Sequence, residues 1–114
     1  MSRVSTHILD LVQGKPATGV RVRLERQSAP GDWELLNSAQ TDQDGRCPQL
    51  VPSGQNLRPG IYRLNFDTGS YYSGRQIPAL HPVVEVTIEV GEGESTFHIP
   101  LLLSPNGYTT YRGS

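Results

Sequence analysis

Three stretches of the chain alternate apolar and polar side chains with a period of two. Val20, Val22 and Leu24 alternate with Arg21, Arg23 and Glu25. Tyr62, Leu64 and Phe66 alternate with Arg63 and Asn65, and Val84, Val86, Ile88 and Val90 with Glu85, Thr87 and Glu89. Successive side chains of a strand point to opposite faces, so each stretch puts one face on a core and the other in water. Turn signals recur at short intervals: Gln13-Gly14-Lys15-Pro16, Ala29-Pro30-Gly31-Asp32, Thr41-Asp42-Gln43-Asp44-Gly45, Arg58-Pro59-Gly60, Gly91-Glu92-Gly93 and Ser104-Pro105-Asn106-Gly107. Short strands between evenly spaced turns predict a sandwich or barrel. The strands are expected at Val4–Leu11, Val20–Gln27, Trp33–Gln40, a short piece near Cys47–Val51, Ile61–Asp67, Val83–Val90, Ser95–Ser104 and Gly107–Arg112, with one short helix at Ser70–Gln76. The expectation is an all-β, two-sheet sandwich of about eight strands. At 114 residues, with no repeat, low-complexity tract or linker, residues 1–114 are read as one domain with a thin core.

One strand breaks the alternation. In Ser95–Ser104, Phe97, Ile99, Leu101 and Leu103 fall on one face, and His98, Pro100 and Leu102 on the other. A strand apolar on both faces is covered on both faces, yet a two-layer sandwich leaves the outer one bare. Either a loop folds over it or a second subunit does; the subunit interface is the preferred reading.

The net charge of −1, from 10 Lys+Arg against 11 Asp+Glu, offers no general attraction for nucleic acid or an anionic membrane. With the single cysteine Cys47 no internal disulfide forms, which favours a reducing compartment. The first residues lack an apolar signal core, no apolar run approaches a membrane span, and the closing Arg112-Gly113-Ser114 is no peroxisomal address, so a cytoplasmic protein is expected.

Most chemical motifs are absent. His7, Cys47, His81 and His98 lack zinc spacing. In Asp42-Gln43-Asp44-Gly45 the glycine comes too early for a calcium loop, and Ser53 stands where the closing glutamate belongs. Gly69-Ser70-Tyr71-Tyr72-Ser73-Gly74 lacks nucleophile-elbow spacing, and there is no phosphate loop or dinucleotide fingerprint. No cofactor or metal is expected. What remains is His7 inside the first strand, Arg46 after a turn, His98 on the outer face of the doubly apolar strand, and a final Tyr111-Arg112-Gly113-Ser114 directly after a strand. Singly, each has a plain structural explanation: strand histidines are usually structural and an arginine after a turn is usually solvated. His81, before Pro82, is read as a loop residue.

Together these residues carry a resemblance. Ser5-Thr6-His7-Ile8-Leu9-Asp10, Gly14-Lys15-Pro16-Ala17, Val20-Arg21-Val22, Thr41-Asp42-Gln43-Asp44-Gly45-Arg46, Gly60-Ile61-Tyr62, Asp67-Thr68-Gly69-Ser70-Tyr71-Tyr72, Phe97-His98-Ile99-Pro100-Leu101-Leu102-Leu103-Ser104-Pro105 and Tyr111-Arg112-Gly113-Ser114 resemble the transthyretin-related proteins, and within them the 5-hydroxyisourate hydrolases of purine breakdown. The terminal Tyr-Arg-Gly-Ser is the mark that separates these hydrolases from the hormone-carrying transthyretins. The resemblance implies a transthyretin-like sandwich and a homotetramer, a dimer of dimers with active sites at the dimer–dimer interface. It also implies hydrolysis of a cyclic amide. With His81 set aside as a loop residue, His7 and His98 are the candidate general bases near neutral pH; which of them activates water and which orients it or supplies the leaving-group proton stays open. Arg46 would bind substrate and stabilise developing charge through its planar fork. Tyr111 would contact the ring, Arg112 would position the tail, and Ser114 would bring its hydroxyl and the terminal carboxylate to the site. Two other readings compete. One is a transthyretin-like carrier with a central channel for a small hydrophobic ligand. The other is a plain structural β-module.

Overall fold

The computed structural model describes residues 2–114. Among these residues nine strands form two facing sheets, and there is one helix. The strands are β1 (Arg3–Asp10), β2 (Lys15–Pro16), β3 (Arg21–Ala29), β4 (Asp32–Gln40), β5 (Arg46–Cys47), β6 (Gly60–Phe66), β7 (Val84–Val90), β8 (Thr96–Ser104) and β9 (Gly107–Thr110); helix α1 is Thr68–Ser73. One sheet runs β2-β1-β8-β9, with β5 sharing with β2 the edge of β1 opposite β8, and the other runs β4-β3-β6-β7. The expected all-β sandwich with one short helix is what the chain forms. Among the described residues no helix is long and apolar enough to cross a membrane.

The alternating stretches become β3, β6 and β7. Val22, Leu24, Tyr62, Leu64 and Phe66 point inward and are buried, and meet Val4 and Ile8 of β1 and Phe97, Ile99, Leu101 and Leu103 of β8. Each such side chain withdrawn from water contributes about 1.5–3 kcal/mol, the main term holding the layers together. Along β7 only the ends, Val84 and Val90, are fully buried; Val86 and Ile88 are half-buried, because β7 is an edge strand beside an open cleft.

Several boundaries move, each for a local reason. The strand expected near Cys47–Val51 is only Arg46–Cys47. Pro48 has no N–H to continue a ladder, and the Gln49 side chain takes over, accepting from Val4 N at 3.2 Å and donating to Ser2 O at 2.9 Å. The helix starts at Thr68 rather than Ser70, since the Asp67 carboxylate accepts from Ser70 N and caps it. It ends at Ser73, with only turn geometry as far as Gln76, whose φ is +58°. Strand β9 stops at Thr110 rather than Arg112, and the chain rejoins the sheet through a single bridge between Gly113 and His98.

The pairing that positions the site is β1 with β8, which run parallel: Ser5 lies opposite His98, His7 opposite Pro100 and Leu9 opposite Leu102. On its other side β1 sets His7 opposite Arg46. Arg46, His7, Ser5 and His98 therefore share the outer face of one sheet.

At the end of β1, Asp10 is 1% exposed and fully engaged: Oδ1 accepts from Val12 N and Gln13 N, and Oδ2 from the Tyr71 hydroxyl at 2.7 Å. Burial, then the bond to Asp10, pushes the Tyr71 phenol up to about 12. Tyr71→Phe leaves a buried carboxylate oxygen short of a donor and is expected to cost about 1–3 kcal/mol in urea unfolding. The bond needs the protonated phenol. Its contribution is present below the ordinary tyrosine pKa of 10.0 and is lost as pH rises toward about 12, so the wild-type excess over Tyr71→Phe should shrink across that interval.

Candidate active site

A cavity of about 500 Å³ opens on the outer face where β1, β5, β8 and the C-terminal tail meet. Arg3, Ser5, Arg46, His98, Arg112, Gly113 and Ser114 line it, with no Asp or Glu side chain among the lining residues.

Arg46 is delivered by a tight turn. The Asp42 carboxylate accepts from Asp44 N at 2.9 Å and Arg46 N at 3.0 Å, an Asx turn that uses the acidic residue locally. Gly45 has φ +74°, and a Cβ there would lie 2.5 Å from the Ile8 carbonyl oxygen, so glycine is required for the turn to pack on β1. Arg3 is held from the other side by Nε donating to Pro48 O at 3.0 Å.

His98 is the half-buried centre. Its Nδ1 lies 2.8 Å from the Ser5 Oγ. The tail packs on the ring. Gly113 N donates to His98 O at 2.7 Å, and a Cβ on Gly113 would fall 2.5 Å from His98 Cδ2 and 3.2 Å from Pro100 Cγ. Only glycine permits that approach. Burial, reinforced by the positive charges of Arg46, His7 and Arg3, pulls the His98 pKa below the usual histidine value. The neutral imidazole, the form that can accept a proton, is thereby favoured at neutral pH.

Arg112 is fixed by three contacts: Nη1 to Glu94 Oε2 at 3.1 Å, Nη2 to Thr96 O at 3.4 Å, and its guanidinium 4.4 Å from the Phe97 ring centroid. The Gly91 N–H, then Arg112, holds the Glu94 carboxyl below its usual range.

Of the residues singled out from sequence, Arg46, His98, Arg112 and Ser114 come together at this cavity. His7 shares the same face, half-buried between Arg46 and Pro100 in the sheet, but is not among the residues that line the cavity. Tyr111 goes elsewhere. It is 53% exposed and lines a neighbouring cleft with Val86, Ile88, Phe97 and Ile99, a cleft that Arg112 also borders. His81 lies in a loop with its ring 5.2 Å from that of Tyr108, on a different cleft. The outer face of β8 is covered in part by the chain's own tail, over His98 and Pro100, whereas Leu102 and its neighbour Leu9 stay half-exposed. Arg3 and Ser5 were not anticipated. Ser5 is two residues before His7 and so on the same face of β1, but only the parallel pairing with β8 shows that this face meets His98. Among the described residues, no group of three or more His, Cys, Asp or Glu side chains is placed to hold a metal ion.

The sandwich and its outer-face cavity define a known class. The profile of the HIUase/Transthyretin family matches residues 4–113, and the chain belongs to that family. It is 46% identical over 114 residues to the 5-hydroxyisourate hydrolase of Mus musculus, covering 99% of this chain and 96% of that protein. Among solved structures it is similar to Klebsiella pneumoniae 5-hydroxyisourate hydrolase, with TM-score 0.86, 36% identity and all of both chains covered. It is also similar to sea bream transthyretin in complex with thyroxine, with TM-score 0.89, 33% identity and 97% and 94% of the two chains covered.

Proposed function

We propose that the protein is a hydrolase that opens the cyclic amide of 5-hydroxyisourate, giving 2-oxo-4-hydroxy-4-carboxy-5-ureidoimidazoline in urate breakdown. The observation that carries this reading is the convergence, in one cavity, of an imidazole biased toward its neutral form with arginines from three separate segments. Chain-long similarity to 5-hydroxyisourate hydrolases supports it.

His98 takes a proton from water as the water oxygen bonds to the amide carbonyl carbon. Arg46 presents its planar donors to the carbonyl oxygen as that atom gains charge. The carbon–nitrogen bond then breaks, and the departing nitrogen receives a proton from the imidazolium or from His7. The new carboxylate forms beside Arg3, Arg46 and Arg112, in a wall with no Asp or Glu side chain, where the three arginines outweigh the terminal carboxylate of Ser114. Arg112 orders the tail and Ser114 closes the cavity edge. Tyr111, in the adjacent cleft, supports the tail from behind.

The test is to generate 5-hydroxyisourate fresh from urate, add the protein and follow the ultraviolet decay against the spontaneous rate. Marked acceleration is expected. Its absence would favour a carrier, the reading that the similarity to thyroxine-bound sea bream transthyretin supports.

The reading includes residues 1–114 acting as one domain, in the cytoplasm, and a homotetramer, a dimer of dimers, with sites at the dimer–dimer interface. Support comes from the half-exposed Leu9 and Leu102 beside the cavity and from Leu11 and Val12, 56% and 67% exposed, just beyond β1. Light scattering at micromolar concentration should give four times the chain mass. A fully active monomer would overturn the interface site.

A further inference from the structure

We infer that Ser5 is a positioning residue that sets the tautomer of His98, keeping the proton on Nδ1 and the lone pair on Nε2 for the reaction.

The inference rests on the hydrolase reading for its consequence and on geometry for its substance. Ser5 Oγ is 2.8 Å from His98 Nδ1, and the parallel register places the two residues directly opposite each other on the outer face. No other hydrogen bond to either side chain occurs among the described residues. Which ring nitrogen carries the proton of a neutral imidazole is decided by the partner of the other nitrogen. A hydroxyl could accept from Nδ1–H or donate to a bare Nδ1. The surroundings decide between these. Arg46 of β5, Arg3 and His7 of β1 and Arg112 of the tail all lie about the ring and its cavity; no Asp or Glu side chain lines that cavity, and the terminal carboxylate of Ser114 is outnumbered there by the arginines. A positive environment favours a lone pair, not an N–H, on the nitrogen left to the cavity. Ser5 then accepts from Nδ1–H both before and after His98 takes a proton, so the bond need not break during turnover. Gly113 restrains the ring at its opposite edge, Cδ2, leaving Nε2 as the nitrogen without a protein partner.

The tautomer can be read without substrate. In histidine-labelled protein at a pH where His98 is neutral, ¹⁵N NMR separates Nδ1–H from Nε2–H, with the His98 signals identified by their loss in His98→Asn. Wild type should show Nδ1–H, Ser5→Ala should move toward Nε2–H, and Ser5→Thr, which keeps the hydroxyl, should resemble wild type. In turnover, Ser5→Ala should lower kcat roughly 10-fold with KM almost unchanged, well short of the loss expected for removing the base itself, and Ser5→Thr should restore kcat. A wild-type ring already in the Nε2–H form overturns the inference. So does a tautomer unmoved in Ser5→Ala, or one that moves while kcat does not. Failure of the hydrolase reading is a separate result, read from wild-type inactivity on 5-hydroxyisourate.

Discussion

His98→Asn is expected to lower kcat by roughly 10²–10⁴, the usual loss on removing a general acid or base. Asparagine can still hydrogen-bond Ser5 and is smaller than the ring it replaces, so the fold should survive; unfolding midpoints near wild type would show it. The wild-type rate should also hold to a lower pH than an ordinary histidine would allow, because burial and the charges of Arg46, His7 and Arg3 disfavour the protonated ring. Removing a cation raises the His98 pKa and moves the acid limb of the pH–rate profile to higher pH, so Arg46→Gln should show that displacement in addition to its loss of rate. Arg46→Lys keeps the charge, loses the fork and should leave the limb in place. His7→Asn should also reduce kcat. His81→Asn should be nearly silent, since His81 packs against Tyr108 in a different cleft. A loss in His81→Asn as large as that in His98→Asn would undo the assignment.

Deleting Tyr111–Ser114 is expected to abolish most of the activity, by roughly 10²-fold or more, while the sandwich stays folded. The deletion removes three cavity-lining residues at once: Arg112, Gly113 and Ser114. It also uncovers His98 and Pro100, against which Gly113 packs. The core strands do not depend on this segment, as none of the buried apolar core residues lies in it. Circular dichroism and oligomer mass on the same sample separate a lost site from a lost assembly. Gly113→Ala is the milder counterpart: its methyl would sit 2.5 Å from His98 Cδ2, so tail or ring must shift and kcat should fall with little change in stability. A truncated protein that keeps its assembly and its full rate would leave His98, Arg46 and His7 to carry the reaction alone.

The sandwich was legible because period-two patterning is local. Val22 and Leu24, or Leu64 and Phe66, declare their face without reference to any distant residue. The helix start was also legible in principle, since Asp67 three residues before Ser70 is an N-cap signal. The site was less so. His98 stood out as a polar residue on an apolar strand, but nothing local says that its strand pairs in parallel with β1, and that pairing is what joins Ser5 to it. Arg46 was recognisable only through the family resemblance; on its own it is an arginine after a turn. Tyr111 and Arg112 are neighbours in sequence, yet only Arg112 reaches the His98 cavity while both line the cleft beside it, a distinction that motif matching does not register.

The parallel pairing also fixes when the site can exist. Ser5 and His98 are separated by 93 residues, so the centre is closed only when the two ends of the fold meet. Closing so long a loop costs entropy before any contact repays it, and folds dominated by distant pairings fold slowly. A nascent chain on the ribosome therefore has no active centre until β8 and the tail have emerged, however well β3, β4 and β6 have already paired. By the same logic, fraying of either end dismantles the centre before the core melts, so heat inactivation should precede global unfolding and amide exchange at Gly113 should be faster than in β6.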